Sequence, residues 1–173
     1  MQFGTALHCI LQHIAYCNPK FGPPSLAKID LADGYYRVAL GASAMLTLAV
    51  VLPLDGNAEP LLGIPLSLPM GWCESPPFFC MFTETCADLT NQGDPLHPMH
   101  PFQIPPPDPE PDNFHKDIIL PYNPNPPPTP LHFTDVYLDN FMIVAQQPYH
   151  MPTINSLLYN LHSIFKDAND SPR

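Results

Sequence analysis

Cationic side chains are scarce in this chain: six lysines and arginines stand against sixteen aspartates and glutamates, a formal charge of −10. Affinity for nucleic acid leans on cationic contacts to phosphate, so this balance disfavours autonomous template binding and favours a soluble acidic surface. No C-x-x-C pair occurs among Cys9, Cys17, Cys73, Cys80 and Cys86. That spacing is what structural zinc usually requires, and an odd count argues for reduced, mostly buried thiols. The longest apolar run, around Leu46 to Leu54, is far short of the ~20 residues of a membrane span. A basic leader is missing from Met1-Gln2-Phe3-Gly4. A soluble intracellular protein, cytoplasmic or nuclear, with no membrane partner is therefore expected. A glycine-rich phosphate loop and a G-x-S-x-G elbow are also missing, which excludes the enzyme classes built on them.

What the chain has in excess is proline, 26 in 173 residues, about three times the roughly 5% usual in soluble proteins. Fourteen of them fall between Asp94 and Pro130, together with five acidic groups. Proline removes backbone donors and blocks helix and sheet alike, so 94–130 reads as a disordered, proline-rich insertion. It divides the chain into 1–93, 94–130 and 131–173. Within it Pro105-Pro106-Pro107 and Pro126-Pro127-Pro128 suit a polyproline-binding partner, although a spacer needs none. His97 and His100 lack a third ligand and an orienting helix, which weighs against a metal site.

The flanks carry regular patterns. Leu7, Ile10, Leu11 and Ile14 recur at helical spacing from Ala6 to Tyr16. Ser25 to Leu31 reads as a strand ending at Asp30, Leu46 to Leu52 as a second, and Leu61 to Leu66 as a third, with a turn region from Pro53 to Pro60. Ser75-Pro76-Pro77 looks like a helix start with Ser75 as capping hydroxyl, followed by a buried stripe of Phe78, Phe79, Phe82, Cys86 and Leu89. His132 to Leu138 and Phe141 to Val144 form a hairpin with Asp139-Asn140 at its tip. Thr153 to Lys166 is an amphipathic helix able to cover a sheet. Helices on one face of a small, mostly antiparallel sheet make an α+β domain.

Asp30 at a strand end and Asp139 at a hairpin tip are the acidic groups whose direction the backbone would fix, as a divalent metal site needs. An aspartate at a strand end is, however, more often a turn or capping residue. Three segments in order decide between these readings: Lys28-Ile29-Asp30-Leu31-Ala32-Asp33-Gly34-Tyr35, Leu68-Pro69-Met70-Gly71-Trp72-Cys73-Glu74-Ser75-Pro76, and Val136-Tyr137-Leu138-Asp139-Asn140-Phe141. Together they resemble the first-aspartate motif, the glycine-containing substrate motif and the Tyr-x-Asp-Asp hairpin of retroelement reverse transcriptases. The similarity covers nearly the whole chain and points to retrotransposon polymerase polyproteins.

The resemblance implies a reverse transcriptase palm and RNA-directed DNA synthesis, with two Mg2+ ions assisting attack of a primer 3′ hydroxyl on a deoxynucleotide. RNA/DNA primer-template and dNTP would be its partners. It implies catalytic positions at Asp30, Asp139 and Asn140, with Asp30 and Asp139 as metal ligands. Leu31, through its carbonyl, Tyr35 as a gate beneath the sugar, and Gly71 would contact nucleotide. Trp72 and Pro76 would be scaffold. Tyr35 beside Tyr36 also suits plain packing, and Gly71 a plain turn. Polyproteins of this family extend past both ends, so the resemblance implies an internal Met1 and the absence of part of the fingers and of the thumb, connection and ribonuclease H regions. Asn140 departs from the pattern, standing where the family has a second aspartate. Metal affinity depends on ligand charge, so weak or absent activity of the isolated chain is expected. Met70 stands where many relatives have glutamine. Asp33 and Asp135 are placed outside the site. The contrasting expectation is a non-catalytic retroelement remnant or a proline-rich interaction module.

Overall fold

The computed structural model describes residues 5–52, 59–93 and 124–165. Most of the proline-rich segment, with His97, His100 and Pro105 to Pro107, lies outside the described residues, as does most of the Pro53 to Pro60 turn. The chain is α+β. Strand β1 (Ser25–Asp30), α1 (Ala6–Tyr16) before it, and then α2 (Ala42–Thr47), β2 (Val50–Leu52), β3 (Leu61–Gly63) and α3 (Ser75–Gln92) make up the first part. Strands β4 (His132–Tyr137) and β5 (Asn140–Ala145) and helix α4 (His150–Ile164) complete it.

Three strands form an antiparallel sheet in the order β1-β5-β4. Its central strand is thus the last in sequence, with Asp30 opposite Asn140 on one side and Tyr137 opposite Asn140 on the other. Side chains alternate across a pleated sheet. Ala27, Ile29, Val136, Phe141 and Ile143 therefore share one face, and there they join Phe79 and Cys86 of α3 with Ile154, Leu157 and Leu161 of α4 in one core. The opposite face carries Lys28, Asp30, Phe133, Asp135 and Asn140. Helix α1 covers part of it, with His13 stacked on Phe133 at 3.6 Å between ring centroids. The expectation of helices on one face holds for α3 and α4 and fails for α1.

Helix α1 has the predicted bounds, but its buried residues are Ala6 and Ile10, while Leu7 and Leu11 stay exposed. The stripe turns because a flat aromatic contact, His13 on Phe133, sets the helix against the sheet. Helix α3 turns likewise. Phe79, Cys80, Thr83, Cys86, Ala87 and Thr90 face inward, whereas Phe78, Phe82 and Leu89 remain exposed. Threonine can occupy this interior because its hydroxyl bonds back to the helix, Thr90 Oγ1 donating to Cys86 O at 2.8 Å. Small side chains at the interface let α4 approach, and Asn160 Nδ2 then reaches Thr90 Oγ1 at 3.0 Å. Ser75 is not the helix cap. Glu74 holds that position, and the Ser75 hydroxyl donates instead to Pro69 O at 2.7 Å, fastening the preceding loop.

The predicted strand from Leu46 to Leu52 is helical over its first part and extended only at Val50–Leu52, where it pairs with Leu61–Gly63. The third predicted strand is correspondingly shorter. This ribbon joins the body through backbone bonds from Leu40 N to Leu66 O and from Leu68 N to Val38 O, both 3.0 Å. Val50, Val51, Leu61 and Leu62 are exposed on it.

Residues 124–130, ahead of Leu131, are bonded to the rest of the fold. Asn18 Nδ2 donates to Pro127 O at 2.7 Å, so the second triple-proline run is tied to the loop after α1. Fully buried Gln146 completes this junction, donating to Asn18 O and Gly22 O and accepting from Leu131 N at 3.0 Å.

His150 begins α4, and its Nε2 is buried without a hydrogen-bond partner among the described residues. Burial lowers its pKa from 6.5, and a cation at a helix N-terminus is further disfavoured by the helix dipole. The unfolded chain therefore binds the extra proton first. Stability should fall as pH drops below about 6.5 toward the depressed folded value. In urea melts at pH 7.5 and 5.5, His150→Gln should lose less stability on acidification than the wild type; an equal loss would exclude this group as the source.

Candidate active site at the hairpin tip

The turn between β4 and β5 consists of Leu138 and Asp139, one residue earlier than the expected Asp139-Asn140. Asn140 is instead the first residue of β5 and lies across from Asp30. Leu138 has a φ of 58°, a left-handed conformation that costs a side-chain-bearing residue about 1–2 kcal/mol. The short turn obliges it, because two-residue hairpins match strand twist only with a positive φ at the first turn position.

Backbone bonding fixes the site. Leu31 N donates to Asp139 O at 3.0 Å, which extends the pairing of β1 past Asp30 and holds the turn beside the strand end. Directly opposed residues in an antiparallel pair have Cβ atoms about 4.5–5.5 Å apart, so Asp30 and Asn140 are side-chain neighbours on the face away from α3 and α4. Asp30, Leu31, Asp139 and Asn140 are thus brought together. Asn140 Nδ2 donates to Asp139 Oδ1 at 2.7 Å. A second aspartate at 140 would repel that carboxylate, and asparagine clasps it.

After β1 the chain turns through Asp33, with φ 55°, into a 3₁₀ segment, Gly34–Arg37. Arg37 Nε closes the turn on Ala32 O at 3.0 Å. Tyr35 lies flat on Phe79, centroids 4.6 Å apart and planes at 23°. Burial raises the Tyr35 phenol pKa, and the ionised forms of Cys80 and Asp139 would raise it further. Tyr35 also lines a cavity of about 310 Å³ with Met70, Gly71, Trp72 and Ser75. Tyr35 and Gly71 therefore share one wall although they come from separate motifs. At Gly71 a Cβ would meet nothing within 4 Å, but its φ of 93° requires glycine. Trp72 stacks on Phe78, centroids 5.8 Å apart, and is half-buried rather than enclosed.

Gly34 belongs to this arrangement without having been assigned a role from its sequence. A Cβ there would fall 2.5 Å from Phe79 Cζ, so glycine alone lets the turn carrying Tyr35 lie on the ring. Its place inside the first motif was the available signal. Asp33 sits in the turn, and Asp135 Oδ1 accepts from Val136 N at 2.8 Å.

The ligands expected for a divalent ion are two carboxylates, Asp30 and Asp139, and the Leu31 carbonyl. One oxygen of Asp139 is already bonded to Asn140, whose amide presents a donor where a metal needs an acceptor. No group of three His, Cys, Asp or Glu side chains suited to a metal occurs among the described residues. Among the described residues no helix is long and apolar enough to cross a membrane. A scan against protein-family models finds no match to this chain, and a search of curated proteins finds none either.

Proposed function

We propose that the chain is a reverse transcriptase palm of retroelement origin whose nucleotidyl-transfer site is weakened at Asn140. The supporting observation is that residues of the first motif lie against residues of each of the other two. Asp30 faces Asn140 across a strand pair, Asp139 is bonded through its backbone to Leu31, and Tyr35 and Gly71 line one cavity.

In this reading Asp30 and Asp139 would hold magnesium, which when bound stabilises negative charge on the attacking and leaving oxygens. Asn140 draws the Asp139 carboxylate toward itself and reduces its freedom to serve as a ligand. Tyr35, braced by Phe79, forms the floor on which the sugar of an incoming deoxynucleotide would rest, and the Gly71 turn lets backbone approach it. A charge of −10 opposes primer-template binding.

Primer extension on an RNA template, with magnesium and then manganese, tests the reading. Asn140→Asp should raise incorporation at least about tenfold over wild type by restoring a charged ligand. Asp139→Ala should abolish whatever wild type shows. Silence of Asn140→Asp with both metals, in a variant that still folds, would count against a latent polymerase site and favour a non-catalytic remnant.

A further inference from the structure

Among the described residues, the sheet order leaves β4 with an edge that no strand pairs. An unpaired edge offers backbone donors and acceptors to any extended chain, and proteins blunt it. Here the blunting is done by two side chains. Asn91 Oδ1 accepts from Thr134 N at 2.7 Å, and Asn91 Nδ2 donates to Thr134 O at 2.8 Å. A carboxamide has the donor and acceptor of a peptide group, so Asn91 stands in for one residue of the missing strand. At the next outward position, Asp135 Oδ1 occupies Val136 N.

Beneath this cap the Thr134 hydroxyl is sealed from solvent and meets no hydrogen-bond partner among the described residues. A buried polar atom left in this way is uncommon and calls for an explanation.

We propose that the β4 edge is a latent self-pairing surface, held shut by Asn91, and that its occupant is a second copy of this chain. Thr134 is the outward-bonding residue at the middle of the edge, so two-fold antiparallel pairing centred there sets Thr134 against Thr134 and Phe133 against Asp135. Such an interface is isologous and closes as a dimer. Facing threonines are a favourable cross-strand pair, and each hydroxyl supplies the partner the other lacks. Asn91 lies in the last turn of α3, next to its end at Gln92. Thr90 keeps that turn bonded to Asn160 of α4, so withdrawal of the amide needs only a change of the Asn91 side-chain rotamer. The inference rests on the fold and not on the polymerase reading.

Sedimentation velocity over a range of protein concentrations tests it, with hydrogen exchange at the Thr134 amide read on the same samples. Asn91→Ala should strengthen self-association at least about tenfold relative to wild type, since the competing pair of bonds is gone. The Thr134 amide should exchange fast in the dilute variant and slowly once it associates. Adding Thr134→Val to Asn91→Ala should weaken that association. If Asn91→Ala loses helix content by circular dichroism, Asn91→Ser carries the same comparison with a shorter side chain. Association no stronger than wild type would overturn the proposal. So would association that leaves the Thr134 amide open and ignores Thr134→Val, which would place the contact on another surface such as the exposed β2–β3 ribbon.

Discussion

Replacing Phe79 with alanine should lower the free energy of unfolding by about 3–5 kcal/mol, the range for removing a large aromatic from a packed core. The ring is 0% exposed and touches three parts of the molecule at once. It carries Tyr35 at 4.6 Å, lies 6.1 Å from Phe165 just after α4, and closes against Gly34. Against a total stability of about 5–15 kcal/mol, such a loss brings the fold close to its midpoint under mild conditions. Urea unfolding followed by circular dichroism should show a lower midpoint at an unchanged slope. The same contact can be probed from the other side. Gly34→Ala forces a methyl into a ring that cannot retreat, an overpacking that costs about 1–3 kcal/mol. Phe79→Leu shortens the obstacle, so the pair should be less damaging than the sum of the singles. Strict additivity would show that Gly34 serves the turn and not the ring.

Gln146→Leu should be the second large loss, about 3 kcal/mol or more, because it keeps volume while stripping partners from three backbone groups. Asn18 O, Gly22 O and Leu131 N all bond to this one buried amide. Each buried group left unsatisfied costs about 1–3 kcal/mol. A loss under 1 kcal/mol would mean that water replaces the amide at the junction. Limited proteolysis gives a second check, since cleavage should increase near the Asn18 loop and the Pro127 segment, which the same junction ties together.

The parts of this fold that sequence revealed are those where one local pattern decides the outcome. Strand β1 ends at Asp30 as its composition indicated, and α1 keeps its bounds from Ala6 to Tyr16 because a clear helical period meets a helix-stopping Asn18-Pro19. Long-range packing decided the rest. Thr83 and Thr90 are interior because their hydroxyls bond within the helix, and that displaced Phe78 and Phe82 from a stripe hydrophobicity alone assigned to them. Val50 to Leu52 shows the opposite failure, an apolar run kept extended while Leu46 just before it is helical.

The candidate site divides in the same manner. Asp30, Asp139, Tyr35 and Gly71 could be named from their motifs, and the fold sets Asp30 beside the hairpin turn and Tyr35 beside Gly71. The bond from Asn140 to Asp139 could not be foreseen. Sequence gave the substitution as a lost charge, whereas its geometry adds a donor aimed at the remaining carboxylate. Gly34 and Gln146 escaped notice because each acts on residues remote in the chain: Phe79 for the first, and Asn18, Gly22 and Leu131 for the second.

The position of β5 in the middle of the sheet governs the order in which the molecule can assemble. The β4–β5 hairpin closes a two-residue turn and forms on a scale of about 1–10 μs once both strands exist. Strand β1 has no such neighbour, since its partners run from Asn140 to Ala145. During synthesis at roughly 5–20 residues per second, β1 waits on the order of ten seconds for the strand that completes it. Joining ends so far apart also carries a loop-closure cost, which slows sheet formation relative to the local helices. The nascent chain is therefore exposed at Ala27 and Ile29 until β5 is made, and a chaperone that holds extended apolar segments should raise its yield of folded protein.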